Sequence, residues 1–579
     1  MENHRRNQLI VLIIAALIYL GGSISPPGLM DDVDAVQAQI ARNMLESGDW
    51  VTARLDGVAY LEKAPLNYWL VAVSYNVFGV TDWAGRLPFA LAAIGLAWLV
   101  SRMAAWAFGE RQGLYAGLAI ASSTGLWLFT RIQIPDVMLT LTIALALWAF
   151  VRALEEDSRR WALTFWACMG IGFLLKGLIA MVFPVAAALL YLTFRRQWRD
   201  LGRLHVLSGM ALTLVIAAPW VILATLANPP YFDFTMRSAP GEYHGFFWFF
   251  FLNEHLFRFL NMRYPRDYNT VPRLAFWLFH LLWFFPFSAY LAEALRRRPT
   301  TLGDRADRMR LLCWCWAGFI LVFFTFSTTQ EYYSMPAYPA FAILIGDAAA
   351  RNSRWNRWSL KTISVVSGLL CVVLAGIAIA VRGYPTEGDI SRVLTLNPDA
   401  YTLSLGHMSD LTLPAFAYLQ TPLWFAVFAF AVGALAAWRS SPLGLAAMMV
   451  LFTHAARLAL IVFDPYLGSR PLAEALMRAP QGEVIFDNQY YTFSSVFFYT
   501  NKRGLLLNGR VNNLQYGSYA PGAPQVFIDD AEFTRRWMSP ARHYLLVEGP
   551  AVPRIEGLVG KPALHVVAAS GGKFLLANQ

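Results

Sequence analysis

The chain has 579 residues, of which 57% are hydrophobic and only 15% charged. Its mean hydropathy is +0.44, and soluble domains usually run at about 45–50% apolar and about 25% charged, so a water-soluble globular class is excluded. The net charge of +10 does not signal a nucleic-acid binder, because the basic residues gather in short loops between apolar runs and form no stripe with aromatics.

The first apolar run, Leu9 to Ile24, has basic residues before it and small residues at its end, as a secretory signal does. A signal's apolar region is shorter, about 7–15 residues, and many further runs follow, so this segment is expected to be an uncleaved first helix. Asp31, Asp32 and Asp34 stand where the chain emerges from it. They open a loop of residues 25–87, too long for an ordinary connection. Within it Val33, Val36, Ile40, Met44 and Leu45 recur at helical spacing before Gly48, and 65–78 alternates aromatic and small residues. Both stretches are expected as amphipathic helices along the membrane surface. The three aspartates have two readings. They cap the helix starting near Asp34, or one of them is a general base, a role worth about 10²–10⁴-fold.

Glu62 and Lys63 follow, either as a solvated loop pair or with Lys63 neutralising a phosphate while Glu62 touches polar groups of a substrate. Apolar runs are then expected to span at 88–108, 113–130, 136–152, 161–176, 178–194 and 205–227. Between the second and third, Arg131 and Asp136 form a short turn, readable as a local ion pair or as a brace for the acidic site. Lys176, at the next junction on that side, reads as a snorkelling lysine or a phosphate contact.

The long loop 228–271 carries Glu254, His255 and Arg258. Glu254 and Arg258 are a supportive i,i+4 pair on a helix, and His255 with Arg258 would share a face suited to an anionic head group. Glu254 with His255 supplies only two candidate metal ligands, too few for a site. After spans at 272–295 and 311–327, Tyr332 and Tyr333 lie in a polar interruption, as interface anchors or as contacts to a phosphate or sugar. Spans at 335–350, 359–381, 421–438 and 443–463 complete a set of about thirteen, with another long loop at 382–420.

The basic loops alternate along this series, so the positive-inside rule makes them cytoplasmic, with the amino terminus. The acidic and long loops fall on the other side, and an odd number of crossings puts the carboxyl terminus there too. Residues 464–579 lose the hydropathy and show about five short apolar runs between turns, expected as a small α/β domain. Cys168, Cys313, Cys315 and Cys371 all lie in apolar runs as packing residues.

In this order of landmarks the chain resembles the GT-C membrane glycosyltransferases of the lipid A aminoarabinose transferase and protein O-mannosyltransferase type. The resemblance covers most of residues 1–350. Its best block runs from Asp31 to Leu70 and includes Met44-Leu45-Glu46-Ser47-Gly48-Asp49-Trp50 and Leu61-Glu62-Lys63-Ala64-Pro65-Leu66-Asn67-Tyr68-Trp69, followed by Arg131…Asp136, Lys176-Gly177, Asn253-Glu254-His255 and Tyr332-Tyr333…Pro336. It implies a GT-C fold over residues 1–463 with an extracytoplasmic α/β domain over 464–579. The implied activity moves a sugar from a polyprenyl (undecaprenyl) phosphate carrier to a lipid, glycan or protein acceptor, such as lipid A, at the periplasmic face of the inner membrane.

The resemblance implies a catalytic carboxylate in the first loop and a second aspartate at Asp136. Where the family shows Asp-Glu, ungapped spacing from Met44 puts Val33-Asp34 here, so the base is Asp32 with a one-residue shift, Asp34, or Asp31. At Gln330-Glu331, where many relatives carry a basic residue, none stands here, and Lys63, Arg131, Lys176 and Arg258 are left to meet a phosphate. Asp31, Glu62, His255, Tyr332 and Tyr333 complete the expected binding set. No cofactor is implied and a divalent metal is left open; the partners implied are the lipid-linked sugar, its acceptor and membrane lipids, with no nucleic acid. The rival classes are a lipid-linked sugar transporter or flippase, for which charge near mid-membrane is expected, and a glycan-binding membrane sensor.

Overall fold

The computed structural model describes residues 2–24, 26–265, 271–297, 299, 303–327, 329–394 and 410–579. Ser25, 266–270 and 395–409, parts of the three long loops, lie outside the described residues, as do Arg298 and Thr328.

The first apolar run folds as helix α1 (Glu2–Ile24). Helix α2 (Val33–Ser47) follows and stops at Gly48, whose φ of +73° is the left-handed conformation glycine adopts without cost. A hairpin of β1 (Arg54–Leu55) and β2 (Val58–Ala59) leads to α3 (Leu66–Phe78). The two amphipathic helices expected in the first loop are therefore α2 and α3.

Each of the thirteen expected spanning stretches falls on helix, but not all are single rods. The helices α4 (Asp82–Phe108), α7 (Asp136–Glu156) and α10 (Val206–Ala227) are long and apolar enough to cross a membrane, as are α1 and the helices Arg305–Phe326, Arg354–Ala380, Gln420–Trp438 and Pro442–Leu467. That makes eight among the described residues, or nine counting the pair Arg273–Trp283 and Phe287–Arg296, bent by 102°. The bend falls at Pro286, which has no N–H to continue the helical ladder. The stretch 113–130 is split at Ser122 and Ser123 into α5 (Glu110–Ala121) and α6 (Thr124–Thr130), because the Ser123 hydroxyl caps the second piece by accepting from Leu126 N–H at 3.1 Å. Helices α8 (Arg159–Lys176) and α9 (Ile179–Arg195) and the stretch Met335–Ala349 are shorter or more polar. Close helix contacts rest on small residues: a Cβ on Gly346 would lie 2.6 Å from the Ala116 side chain of α5.

The basic loops that alternate in sequence converge at one end of the bundle. There Glu155 pairs with Arg305 and Arg308, and Asp347 with Arg310 and Arg351. At the other end the long loops meet the carboxyl-terminal part. Its sheet has six strands in the order β5-β4-β3-β6-β8-β7, namely β3 (Glu483–Asp487), β4 (Leu505–Leu507), β5 (Phe527–Ile528), β6 (His543–Glu548), β7 (His565–Ser570) and β8 (Lys573–Ala577). Strands β3 to β6 run parallel, and β8 pairs antiparallel with both β6 and β7. The five runs read from the sequence are β3 to β7. The sixth, β8, was missed because it follows β7 after only Gly571 and Gly572, too short a turn to separate two runs by composition.

Candidate active site

At the loop-rich end a cavity of about 370 Å³ lies between α7, α8, α9, a helical segment at 248–257 and the turn before Pro336. Its wall is aromatic and aliphatic, with Phe183, Phe250, Phe251, Phe259, Phe323 and Phe324. Its polar lining comes from loops and helix ends. Glu62 and Lys63 precede α3, Asp136 is the first residue of α7, Lys176 the last of α8, and Tyr332 and Tyr333 lie between helices. With His255 and Arg258, this one cavity brings together eight of the twelve site residues expected from the sequence.

Glu62 is the hub. Its carboxylate touches Lys63, accepts from Tyr60 Oη at 2.6 Å and from Asn513 Nδ2 at 2.5 Å, and lies 3.4 Å from Arg258 Nη1. Burial by itself would raise its pKa, but the charges of Lys63, Arg263 and Arg258 outweigh it and hold the carboxyl well below the usual range. Glu254 stands behind, bonded to Arg258 at 2.8 Å and to Arg263. Arg258 also donates to Tyr333 Oη at 3.1 Å. Buried charges are tolerable only with this degree of pairing, and the pairing fixes Lys63 and Arg258 at the mouth of an apolar trough.

On the opposite wall Lys176 Nζ donates to Asp136 Oδ1 at 2.6 Å and lies 5.3 Å from the ring centroids of both Tyr332 and Tyr333. The second oxygen of Asp136 is buried and has no hydrogen-bond partner among the described residues. Asp136 thus holds Lys176, where the sequence had suggested a pair with Arg131.

The segment Trp248–Phe257 is wound as a π-helix, a form concentrated at functional sites, where an α-helix was expected. The wider turn preserves the Glu254–Arg258 pair but sends His255 to the backbone. Its Nδ1 donates to Phe250 C=O at 2.5 Å and its Nε2 accepts from Leu178 N–H at 3.1 Å. Burial lowers the His255 pKa. Both nitrogens are thereby committed, and the ring packs on Gly177, where an added Cβ would lie 2.1 Å from Nε2.

The three first-loop aspartates lie apart from the cavity lining and have three different surroundings. Asp34 is buried in an ion pair with Arg86 at 2.7 Å and accepts from Gln133 N–H at 3.1 Å, which ties α2 to α4 and to the turn that leads into Asp136. Asp31 accepts from Lys573 Nζ at 2.6 Å, Ser469 Oγ at 2.5 Å and Ser495 N–H at 2.8 Å, docking the carboxyl-terminal part on the first loop. Asp32 has φ +73° and ψ −131°, its backbone N–H held by Ser494 Oγ and Tyr491 C=O, and its side chain makes no cap bond to α2. A non-glycine residue in that region costs about 1–3 kcal/mol, and such strain concentrates at functional sites. Arg131 donates to Met30 Sδ and lines a smaller cavity of about 50 Å³ with Arg86, Arg457 and Asp464.

Sequence reasoning left Arg86, Glu254, Arg263 and Asn513 out of the site. Arg86 carried one signal, an arginine inside an apolar run, which must find a partner. Asn513 and Tyr516 carried none that separates contact from turn. Tyr516 stacks on Phe249 at 4.2 Å, and its hydroxyl joins His244 N–H to Gly245 C=O. Among the described residues no three His, Cys, Asp or Glu side chains gather as a metal site.

Residues 62–223 match the family described as dolichyl-phosphate-mannose-protein mannosyltransferase. The chain is 30% identical over 396 residues to the undecaprenyl phosphate-alpha-4-amino-4-deoxy-L-arabinose arabinosyl transferase of Pseudomonas aeruginosa, 66% of either chain. It is 29% identical over 384 residues to the protein of that name from Aeromonas salmonicida, 62% of this chain and 64% of the other. The chain thus spans a little under two thirds of the length of these curated relatives. In fold it superposes on the crystal structure of ArnT from Cupriavidus metallidurans bound to undecaprenyl phosphate with a TM-score of 0.76, covering 99% of this chain and 97% of that one at 22% identity.

Proposed function

We propose that this multi-pass membrane protein, of the GT-C aminoarabinose-transferase type in fold and sequence, moves a sugar from a polyprenyl phosphate carrier to a lipid, glycan or protein acceptor. Lipid A is one such acceptor. Residues 1–463 form the membrane-embedded transferase and residues 464–579 a soluble domain. The amino terminus is cytoplasmic, and the site and soluble domain are periplasmic, a reading supported by the gathering of basic loops at the far end of the bundle.

One observation carries this reading. An aromatic trough and the cations Lys63, Lys176 and Arg258 line the same cavity, which is the chemistry of a lipid tail ending in a phosphate. In a single displacement the acceptor oxygen attacks the anomeric carbon as the carbon–oxygen bond to phosphate breaks. Lys63 and Arg258 stabilise the charge gathering on the departing phosphate, and such preorganised electrostatics is usually the largest catalytic contribution. Asp136 orients Lys176 toward the same group. Asp32 orients or deprotonates the acceptor hydroxyl; its strained backbone, pinned by Ser494 and Tyr491, supports the choice. If the acceptor is itself a phosphate, Asp32 only positions it.

The test is incubation of purified protein with radiolabelled polyprenyl phosphosugars, beginning with the undecaprenyl phosphate-linked aminoarabinose named for its relatives. Release of polyprenyl phosphate with label on an acceptor is the expected result. Movement of intact carrier between leaflets without release would make the protein a flippase.

A further inference from the structure

A third cavity, of about 300 Å³, lies where α2 and the β1–β2 hairpin meet the carboxyl-terminal domain. Its size is at the lower end for small-molecule sites, about 300–1,000 Å³. No step of the transfer uses it.

Three amides set its character. Gln39 Nε2 donates to Asn43 Oδ1 at 2.8 Å and to Asn501 Oδ1 at 3.4 Å. Asn501 in turn donates to both oxygens of Glu46, at 3.2 and 3.0 Å, and Asn43 to the Arg54 carbonyl at 2.9 Å. The amides are therefore fixed in orientation by one another and offer donors and acceptors in known directions. Tyr490 and Phe497, stacked at 4.1 Å, supply an apolar wall.

Three buried polar atoms on residues that line this cavity have no hydrogen-bond partner among the described residues: Gln39 Oε1, Asp56 Oδ2 and Tyr490 Oη. Buried polar groups are nearly always paired; these three sit just behind the cavity surface, where a small side-chain movement brings them to a ligand or water. The Asp56 side chain accepts from Gly504 N–H at 3.3 Å through its other oxygen. Burial pushes that carboxyl up to about 7, against the lowering effects of Gly504 N–H and Arg503.

We propose that this cavity is a saccharide subsite that grips one or two sugar residues of the acceptor. Oriented amides, a carboxyl, a phenol and an aromatic wall match a ring bearing many hydroxyls, each both donor and acceptor. A lipid chain finds no apolar trough here. Glu46 and Asp56 offset only part of the charge of Arg54, Lys502 and Arg503, so phosphate is the competing ligand that the test includes. Its place on α2 gives it a role. Gln39 and Asn43 lie about 8 and about 14 Å along the helix from Asp34 at ~1.5 Å per residue, so a glycan held there is tethered to the helix that begins beside Asp32. The assignment of the ligand as acceptor rests on the proposed transfer; the binding itself does not.

The experiment uses the full chain in lipid nanodiscs, with saturation-transfer NMR for glucose, galactose, glucosamine and N-acetylglucosamine as separate probes and phosphorus NMR line broadening for inorganic phosphate. At least one saccharide is expected to bind at millimolar concentration or better. Asn43→Ala and Arg503→Ala should each weaken it tenfold or more and raise the acceptor KM of transfer, while binding of polyprenyl phosphate is unchanged. Arg503 is exposed, so its loss leaves the fold intact and keeps the test readable. No saccharide bound to the parent, binding unchanged in both variants, or binding of phosphate alone would each overturn the subsite. A parent that binds saccharide but never releases polyprenyl phosphate would overturn the transfer reading and leave the subsite standing.

Discussion

Arg86 reaches from α4 to hold Asp34 at 2.7 Å through Nη2, which also donates to Gly28 C=O, while Nη1 donates to Pro27 C=O and Nε to Arg131 C=O. One guanidinium thus ties together the first loop, the second spanning helix and the turn that delivers Asp136. This pairing braces Asp34, while Asp32 beside it has a strained backbone and makes no side-chain cap bond to α2.

Removing one member of a buried pair costs about 3–5 kcal/mol, because the other is left charged and unpaired. Arg86→Met is accordingly expected to lower the thermal stability of the solubilised protein severely. Asp32→Asn should leave stability near that of the parent and cut transfer by at least about 10²-fold, the lower end for loss of a general base. Parental activity in Asp32→Asn alongside a folded, inactive Asp34→Asn would move the base to Asp34.

Lys63→Ala and Arg258→Ala should each weaken donor binding about tenfold or more, since hydrogen bonds to charged groups contribute about 1.5–3 kcal/mol. Titration of the protein with polyprenyl phosphate reads this directly. The loss should shrink with a dephosphorylated polyprenol, which retains only the contacts to the aromatic trough; an equal loss with polyprenol would place both cations elsewhere.

Gly177→Ala brings a Cβ to within 2.1 Å of His255 Nε2 at a residue with φ +69°. With ψ at −147° the residue lies in a region other residues rarely adopt, at a cost of about 1–3 kcal/mol, and the clash disturbs the π-helical segment that leads into Arg258. Reduced stability and weaker donor binding are expected together. The double variant with His255→Ala should recover part of the binding, because the steric component is then removed; a strictly additive double variant would show that the two residues do not meet.

Two carboxyls give the stability opposite pH dependences. Glu62 is held below its ordinary value of 4.5 by Lys63, Arg263 and Arg258, so the stability it contributes is present above that value and lost in more acid solution. Burial pushes Glu331 up to about 7, so the folded state takes up a proton there, and that contribution, full below about 4.5, is lost as the pH rises toward 7. Unfolding measured between pH 4 and 8 should show a flatter profile over that window for Glu331→Gln than for the parent.

Lys573→Met leaves Asp31 buried beside Ser469 and Ser495 without its cation. The contact between the first loop and the carboxyl-terminal domain should loosen, read as faster amide exchange in 26–34 and 490–500. Transfer should fall as well, since Asp32 N–H is held by Ser494 Oγ at 2.8 Å across the same contact.

What the sequence determined by itself was local and periodic. Apolar runs of spanning length, the amphipathic spacing of α2 and α3, the Gly48 stop, the alternation of basic loops and five of the six strands follow from how residues a few positions apart share a face. The ordered landmarks also pointed to Lys63, Asp136, Lys176, Arg258 and the tyrosine pair, because each stands at a loop or helix end on one predicted side. Only the tertiary structure decided which of these meet and which partners Asp31 and Asp34 find. Asp31 finds Lys573 across 542 positions, Glu62 finds Asn513 across 451, and Asp34 finds Arg86 across 52. No periodicity links such distant residues. A buried carboxylate must be paired, yet which cation it receives depends on how the helices pack, and that packing gave Asp31 to Lys573 and Asp34 to Arg86.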